Sequence, residues 1–115
     1  MFKIDKQDQL AIVSTQRDLR EFEFGEIEEK GRELLGLLDR REVRSVVIDF
    51  EGTDYYGSTA LSFFVKVWKR VRANGGKMAF CNVSPHELEI LALTKLDTLW
   101  SLKDSREEAI RDVLS

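Results

Sequence analysis

The 115 residues, 43% of them hydrophobic, suit one domain over residues 1–115 that buries roughly two thirds of its unfolded surface without disulfide or metal staples. Eighteen basic against 21 acidic residues give a net charge of −3, the wrong sign for a nonspecific nucleic-acid binder. A single cysteine excludes an intramolecular disulfide, and no run approaches the roughly 18–20 apolar residues that span a bilayer. With no signal-peptide core in Met1-Phe2-Lys3-Ile4-Asp5, the expected setting is cytoplasmic, without membrane association.

Short strands are expected near Phe2 to Asp5 and Gln9 to Ser14, close enough in sequence to pair as an antiparallel edge. A polar connection from Thr15 to Glu23 leads to a helix from about Phe24 to Arg40, with Ile27, Gly31, Leu34, Leu35 and Leu38 on its inner face. Arg44 to Phe50 contains Val46-Val47-Ile48, a run that suits a strand buried on both faces. After a polar turn a long amphipathic helix begins at Ser58. Leu61, Phe64, Val65, Trp68 and Val71 form the face expected to pack on a sheet, and Ser62, Lys66, Lys69 and Arg70 lie opposite. Ala60, Phe63 and Val67 widen the apolar arc beyond one sheet contact, so this edge is expected to cover a neighbouring helix or to meet a partner.

Asn74-Gly75-Gly76 ends that helix, because glycine takes the left-handed conformation without steric cost, and Lys77 to Asn82 reads as the next strand. Within it Cys81 reads as a shielded, inert thiol. Ser84-Pro85-His86-Glu87 opens a third helix with serine as cap, proline at the first helical position and glutamate three residues after the cap. Leu88, Leu91 and Ala92 are expected to face inward. A short strand around Leu99 to Leu102 precedes Asp104-Ser105-Arg106-Glu107, a second capping-box pattern, and a terminal helix packed through Ala109, Ile110, Val113 and Leu114. Strands alternating with helices at this spacing imply parallel crossovers, and with the antiparallel edge they give an α/β fold on a small mixed sheet of about five strands with about four helices.

Catalytic chemistry finds little support. His86 is the chain's one histidine, and no second histidine or cysteine pair completes a metal site. There is no Gly-x-x-x-x-Gly-Lys phosphate loop, Gly-x-Ser-x-Gly elbow or Gly-x-Gly-x-x-Gly turn. Asp49 and Asp54 flank the strand-to-helix turn, where paired carboxylates could hold a metal or activate water, but no set of phosphoacceptor, acidic pair and lysine is arranged over successive strand ends. No enzyme activity, cofactor or metal is expected. The Lys66, Lys69, Arg70, Arg72 cluster reads as a solvated helix face. Ser58 is left as the residue with a distinctive position: at a helix entrance, with unpaired N–H donors and partial positive charge, it is either a structural cap or an acceptor for phosphate.

Val46-Val47-Ile48-Asp49-Phe50, Tyr56-Gly57-Ser58-Thr59-Ala60-Leu61, Val71-Arg72-Ala73-Asn74-Gly75-Gly76-Lys77 and Asn82-Val83-Ser84-Pro85 together resemble the STAS domain of bacterial anti-sigma factor antagonists. The resemblance extends through Leu93-Thr94-Lys95-Leu96-Asp97 and the closing helix, and is weakest between Thr15 and Gly25. It implies a mixed sheet with helices on one side, and a protein partner: an anti-sigma factor that is also a serine kinase, bound reversibly so that a sigma factor is released. Family members read Asp-Ser-Ser/Thr-Gly-Leu at the helix entrance, with the first serine phosphorylated. Ser58 occupies that position, while Gly57 stands in place of the aspartate and Ala60 in place of the glycine. The implied partner surface comprises Tyr56, Gly57, Ser58, Thr59, Ser62, Phe63, Lys66 and Val67. A module that senses a small ligand or nucleotide within a multi-protein assembly is the alternative, for which the chain offers the polar turn from Gly52 to Ser58 and no phosphate motif.

Overall fold

A computed structural model describes residues 2–15, 24–50 and 58–115. Strands β1 (Phe2–Gln7) and β2 (Leu10–Thr15) form an antiparallel hairpin closed by Asp8 and Gln9, with Asp8 at φ 54°. Helix α1 (Phe24–Asp39) leads to β3 (Ser45–Asp49), α2 (Ser58–Ala73) to β4 (Met78–Cys81), and α3 (Pro85–Leu93) to β5 (Ser101–Lys103), before the closing helix α4 (Arg106–Leu114). The strands lie in sequence order, β1-β2-β3-β4-β5, and every pairing after the hairpin is parallel. The expected mixed sheet with four helices is therefore present among the described residues, and each parallel step is bridged by a helix as the chain geometry requires.

All five residues of β3 are buried, and they alternate between two cores. Val46 and Ile48 join Ala11, Val13, Leu34, Leu38, Phe64, Val67, Val71, Phe80 and Leu91 on the face covered by α1, α2 and α3. Val47 joins Leu10, Ile12, Ala79, Cys81, Ala109 and Val113 on the face covered by α4. The expectation of helices on one side is thus corrected: three helices share one face and α4 closes the other. The physical reason lies in β2, β3 and β4, whose residues are apolar on both faces and need cover on both.

The turns account for much of the local order. At the end of α2 the Gly76 N–H bonds the Val71 carbonyl at 2.9 Å and the Gly75 N–H bonds that of Arg72 at 3.0 Å, a Schellman stop with Gly75 at φ 74°. A Cβ on Gly76 would collide with the Arg44 carbonyl. Asn74 Nδ2 donates to the carbonyls of Leu38 at 2.8 Å and Val43 at 3.2 Å, which ties this stop to the end of α1. The same stop ends α1, where Arg41 takes the left-handed position at φ 60°.

Ser84 caps α3 through the Glu87 N–H at 3.2 Å, as expected. The cap of α4 lies one residue later than the Asp104 pattern suggests: Ser105 accepts from the Glu108 N–H at 3.2 Å, and Glu108 reaches back to the Asp104 N–H. Three inward assignments are also corrected. Leu88 is 39% exposed, Ala92 is exposed and Leu114 is 65% exposed, while Glu87 is fully buried. Leu91 supplies the apolar contact of α3 with the core and Glu87 is buried one turn before it, so Leu88 and Ala92 are left at the rim.

Candidate functional site

Helix α2 begins with Ser58, on the side of the sheet where the parallel strands end. Two side chains at the root of the connecting segment are firmly held. Phe50 follows β3, is 1% exposed, and donates its N–H to the Cys81 carbonyl at 3.0 Å. Its ring meets Phe64 of α2 edge-on at 5.5 Å and Phe80 of β4 at 5.2 Å, and Phe64 also meets Phe80 edge-on at 5.5 Å. This aromatic triangle fixes the first turns of α2 against the strand that leads to them. Phe80 stacks in turn on Trp100 at 4.4 Å.

On the opposite face of the same strand end, Asp49 is 1% exposed. Arg106, the first residue of α4, donates from Nε to Asp49 Oδ2 at 2.7 Å and from Nη2 to Ser14 Oγ at 2.8 Å. Asn82, at φ 55° after β4, donates from Nδ2 to Asp49 Oδ1 at 3.0 Å. One carboxylate therefore ties together the ends of β2, β3 and β4 and the start of α4. A charge-assisted bond from Arg106 and a bond from Asn82 engage both oxygens of Asp49. Asp54 lies outside the described residues, and no cluster of metal-ligating side chains occurs among those described. The signal for this network was an acid closing an apolar strand, Val46-Val47-Ile48-Asp49; its partner Arg106 is far away in sequence and carried no signal.

Helical spacing places position 58 in line with Ser62, Lys66 and Lys69, and these last three are exposed. Helix α2 contains Lys66, Lys69, Arg70 and Arg72 and no acidic residue, so the stripe running from Ser58 is uniformly positive. Arg70 Nε bonds Asp39 Oδ1 of α1 at 3.0 Å, and the Arg72 guanidinium lies 5.0 Å from the Trp68 ring. Tyr56 and Gly57 lie outside the described residues, and Ser58 and Thr59 are described as helix positions only.

Two expected surface residues are corrected. Phe63 is 9% exposed because it packs on α1, where a Cβ on Gly31 would stand 2.7 Å from Phe63 Cε1, and Val67 is 0% exposed within the core beside Phe64 and Val71. The surplus apolar arc covers a neighbouring helix. The inner face of α2 accordingly runs through Phe63, Phe64, Val67 and Val71, with Leu61, Val65 and Trp68 half-buried on its flank. His86 is exposed, and Cys81 is fully buried, as expected of a shielded thiol. No helix among the described residues is long and apolar enough to cross a membrane.

The family model of the STAS domain matches residues 2–109. BtrV of Bordetella bronchiseptica, a protein carrying the provisional name anti-sigma factor antagonist, is 28% identical over 106 residues that cover 92% of this chain and 88% of BtrV. Among solved structures, an anti-sigma-factor antagonist (STAS) domain protein from Planctomyces limnophilus is similar at a TM-score of 0.83 and 27% identity, over 99% of this chain and 98% of that one. Bacillus SpoIIAA in its phosphorylated form is similar in fold, with a TM-score of 0.79 at 15% identity over 97% of this chain and 98% of that one. The match over residues 2–109, carried by the hairpin edge, the parallel strands and the four helices, makes this chain a member of the STAS domain family.

Proposed function

We propose that this chain is an anti-sigma factor antagonist, a non-enzymatic module that binds an anti-sigma factor of the serine-kinase type and so releases a sigma factor. The observation that carries the reading is the 28% identity to BtrV across 92% of the chain, together with the 27% identity of the Planctomyces limnophilus domain across 99% of it. The contact surface in this reading is the start of α2, with Tyr56, Gly57, Ser58, Thr59, Ser62 and Lys66. Phe63 and Val67 leave that set because they are buried.

Phosphorylation of Ser58 would switch the complex without unfolding the domain. A phosphate adds about −1.5 to −2 charges, which the first turn of a helix tolerates with a favourable interaction of about 1 kcal/mol. In a closed interface the same charge is desolvated and uncompensated, which costs several kcal/mol and shifts affinity by orders of magnitude.

The test uses a kinase-type anti-sigma factor from the same genome, with binding measured by calorimetry for wild type, Ser58→Asp and Ser58→Asn. Both substitutions preserve a capping side chain, and only aspartate adds charge. The expected result is wild-type-like affinity for Ser58→Asn, loss of at least about tenfold for Ser58→Asp, and a phosphate mass shift of the wild type with ATP. Equal affinities for the two variants and no mass shift would leave Ser58 a structural residue; no binding at all would overturn the antagonist reading.

A further inference from the structure

A cavity of about 630 Å³ lies at the end of the sheet remote from Ser58, where β3 and β4 begin and α4 finishes. Helix α2 separates the two ends by roughly 24 Å, the length of its 16 residues at 1.5 Å each. The cavity is within the size range of small-molecule sites. Its floor is apolar, with Leu10 and Val113 buried and Ile110 packed beside them, and Leu114 is an exposed apolar side chain on its wall.

Polar groups gather at one side. Ser45 is 6% exposed and its hydroxyl oxygen accepts the Lys77 N–H at 3.1 Å, while the hydroxyl's own proton has no acceptor among the described residues. Lys77 Nζ reaches across the cavity wall to the Ser115 main-chain oxygen at 3.0 Å, so the ammonium already stands against an oxygen acceptor there. Arg44 supplies a second cation, held in place by its Nε and Nη2 bonds to the Gly75 carbonyl at 3.2 and 3.0 Å. Against these two charges the side chains of the lining include one carboxylate, that of Asp8.

We propose that this cavity binds a small amphipathic carboxylate, its head group taken by the Ser45 hydroxyl and the Lys77 ammonium and its hydrocarbon tail laid over Leu10, Ile110 and Val113. A buried hydroxyl at the main chain of a lysine whose ammonium lines the same cavity suits an anionic oxygen, and the apolar floor rewards a tail that a bare anion lacks. A shallow site of this kind binds weakly and discriminates by tail length.

The experiment is an NMR titration of the full chain with butanoate, hexanoate and octanoate below micelle-forming concentrations, with octanol and inorganic phosphate as controls. Saturable shifts are expected at the amides of Leu10, Ser45, Ile110 and Val113, and affinity should rise about fourfold per added methylene while the tail remains over the floor. Octanol and phosphate should each bind at least about tenfold more weakly than octanoate, since each lacks one half of the recognition. Lys77→Gln, an exposed position whose loss leaves the fold intact, should weaken octanoate about fivefold. Octanol binding as tightly as octanoate, an affinity independent of tail length, or an unchanged affinity in Lys77→Gln would each overturn the assignment.

Discussion

Replacing Arg106 by glutamine should destabilise the domain far more than replacing Arg70, although each arginine bonds one aspartate at 3.0 Å or less. The difference is burial. Asp39 is 60% exposed and Arg70 40%, so water screens that pair and its loss costs at most about 0.5 kcal/mol. Asp49 is 1% exposed, so removal of Arg106 strips a buried carboxylate of a bond at 2.7 Å. Breaking a buried pair from one side costs about 3–5 kcal/mol, and because the Arg106 side chain is 41% exposed the expected loss is discounted to about 2–3 kcal/mol. For a chain of this size that is a fall in Tm of about 8–15 °C, against less than about 3 °C for Arg70→Gln. Urea denaturation followed by circular dichroism gives the two values directly, with the slope m expected to be unchanged. The double variant Asp49→Asn, Arg106→Gln should recover about 1 kcal/mol relative to the sum of the single changes, because no uncompensated charge remains. If Arg106→Gln and Arg70→Gln lose the same small amount, the network around Asp49 contributes nothing that burial predicts, and the reasoning fails.

Phe63→Asp should collapse the thermal midpoint, with a loss of at least about 3 kcal/mol, since the position is 9% exposed and faces Gly31 of α1; near-wild-type stability would return Phe63 to the surface. Gly31→Ala should also destabilise, because a Cβ 2.7 Å from the Phe63 ring outweighs the helix-propensity gain of about 1 kcal/mol; a rise in Tm would refute the close approach of α1 and α2. Arg41→Gly should stabilise by about 0.5–1 kcal/mol by relieving a left-handed residue at φ 60°, seen as a higher urea midpoint at constant m. Cys81, 0% exposed, should react with a thiol reagent at the rate of global opening, and rapid stoichiometric labelling of the native protein would contradict its burial.

Features written in a few adjacent residues were legible. The hairpin, the α2 stop at Asn74-Gly75-Gly76 and the Ser84 cap each depend on local backbone chemistry, and each is present. The β3 run Val46-Val47-Ile48 announced burial on both faces, yet did not say that α4 would supply the second cover. The width of the α2 arc was visible, but periodicity cannot distinguish cover from within the domain from a partner protein, and Phe63 and Val67 were assigned to an interface when α1 covers Phe63 and the core encloses Val67. The Asp49 network escaped for the same reason. Its donors Asn82 and Arg106, and the Ser14 hydroxyl that accepts from Arg106, come from separate parts of the chain, so only tertiary structure brings them together. The position of Ser58 at the start of α2 was legible from the strand-turn-helix pattern around it.

The division of α2 into sides explains why stability and partner binding should separate in this domain. Phe64, Val67 and Val71 face the sheet, Phe63 and Arg70 face α1, and Ser62, Lys66 and Lys69 form an exposed stripe in helical line with position 58. A charge placed at position 58 falls at a helix N-terminus, where the dipole favours it, whereas a fully buried carboxylate such as Asp49 requires an arginine. The same charge sits at the head of a stripe whose ionisable residues are all cationic, roughly 12 and 16 Å along the helix from Lys66 and Lys69, which exceeds the Debye length of about 8 Å at physiological salt and falls within it at low salt. It lowers the positive potential that the stripe presents to an approaching protein. Under the antagonist reading, Ser58→Asp should weaken partner binding most at low salt and progressively less as salt is raised, with the urea midpoint unmoved throughout. A loss of affinity independent of salt would assign the effect to local desolvation or steric exclusion in the interface instead of the α2 field.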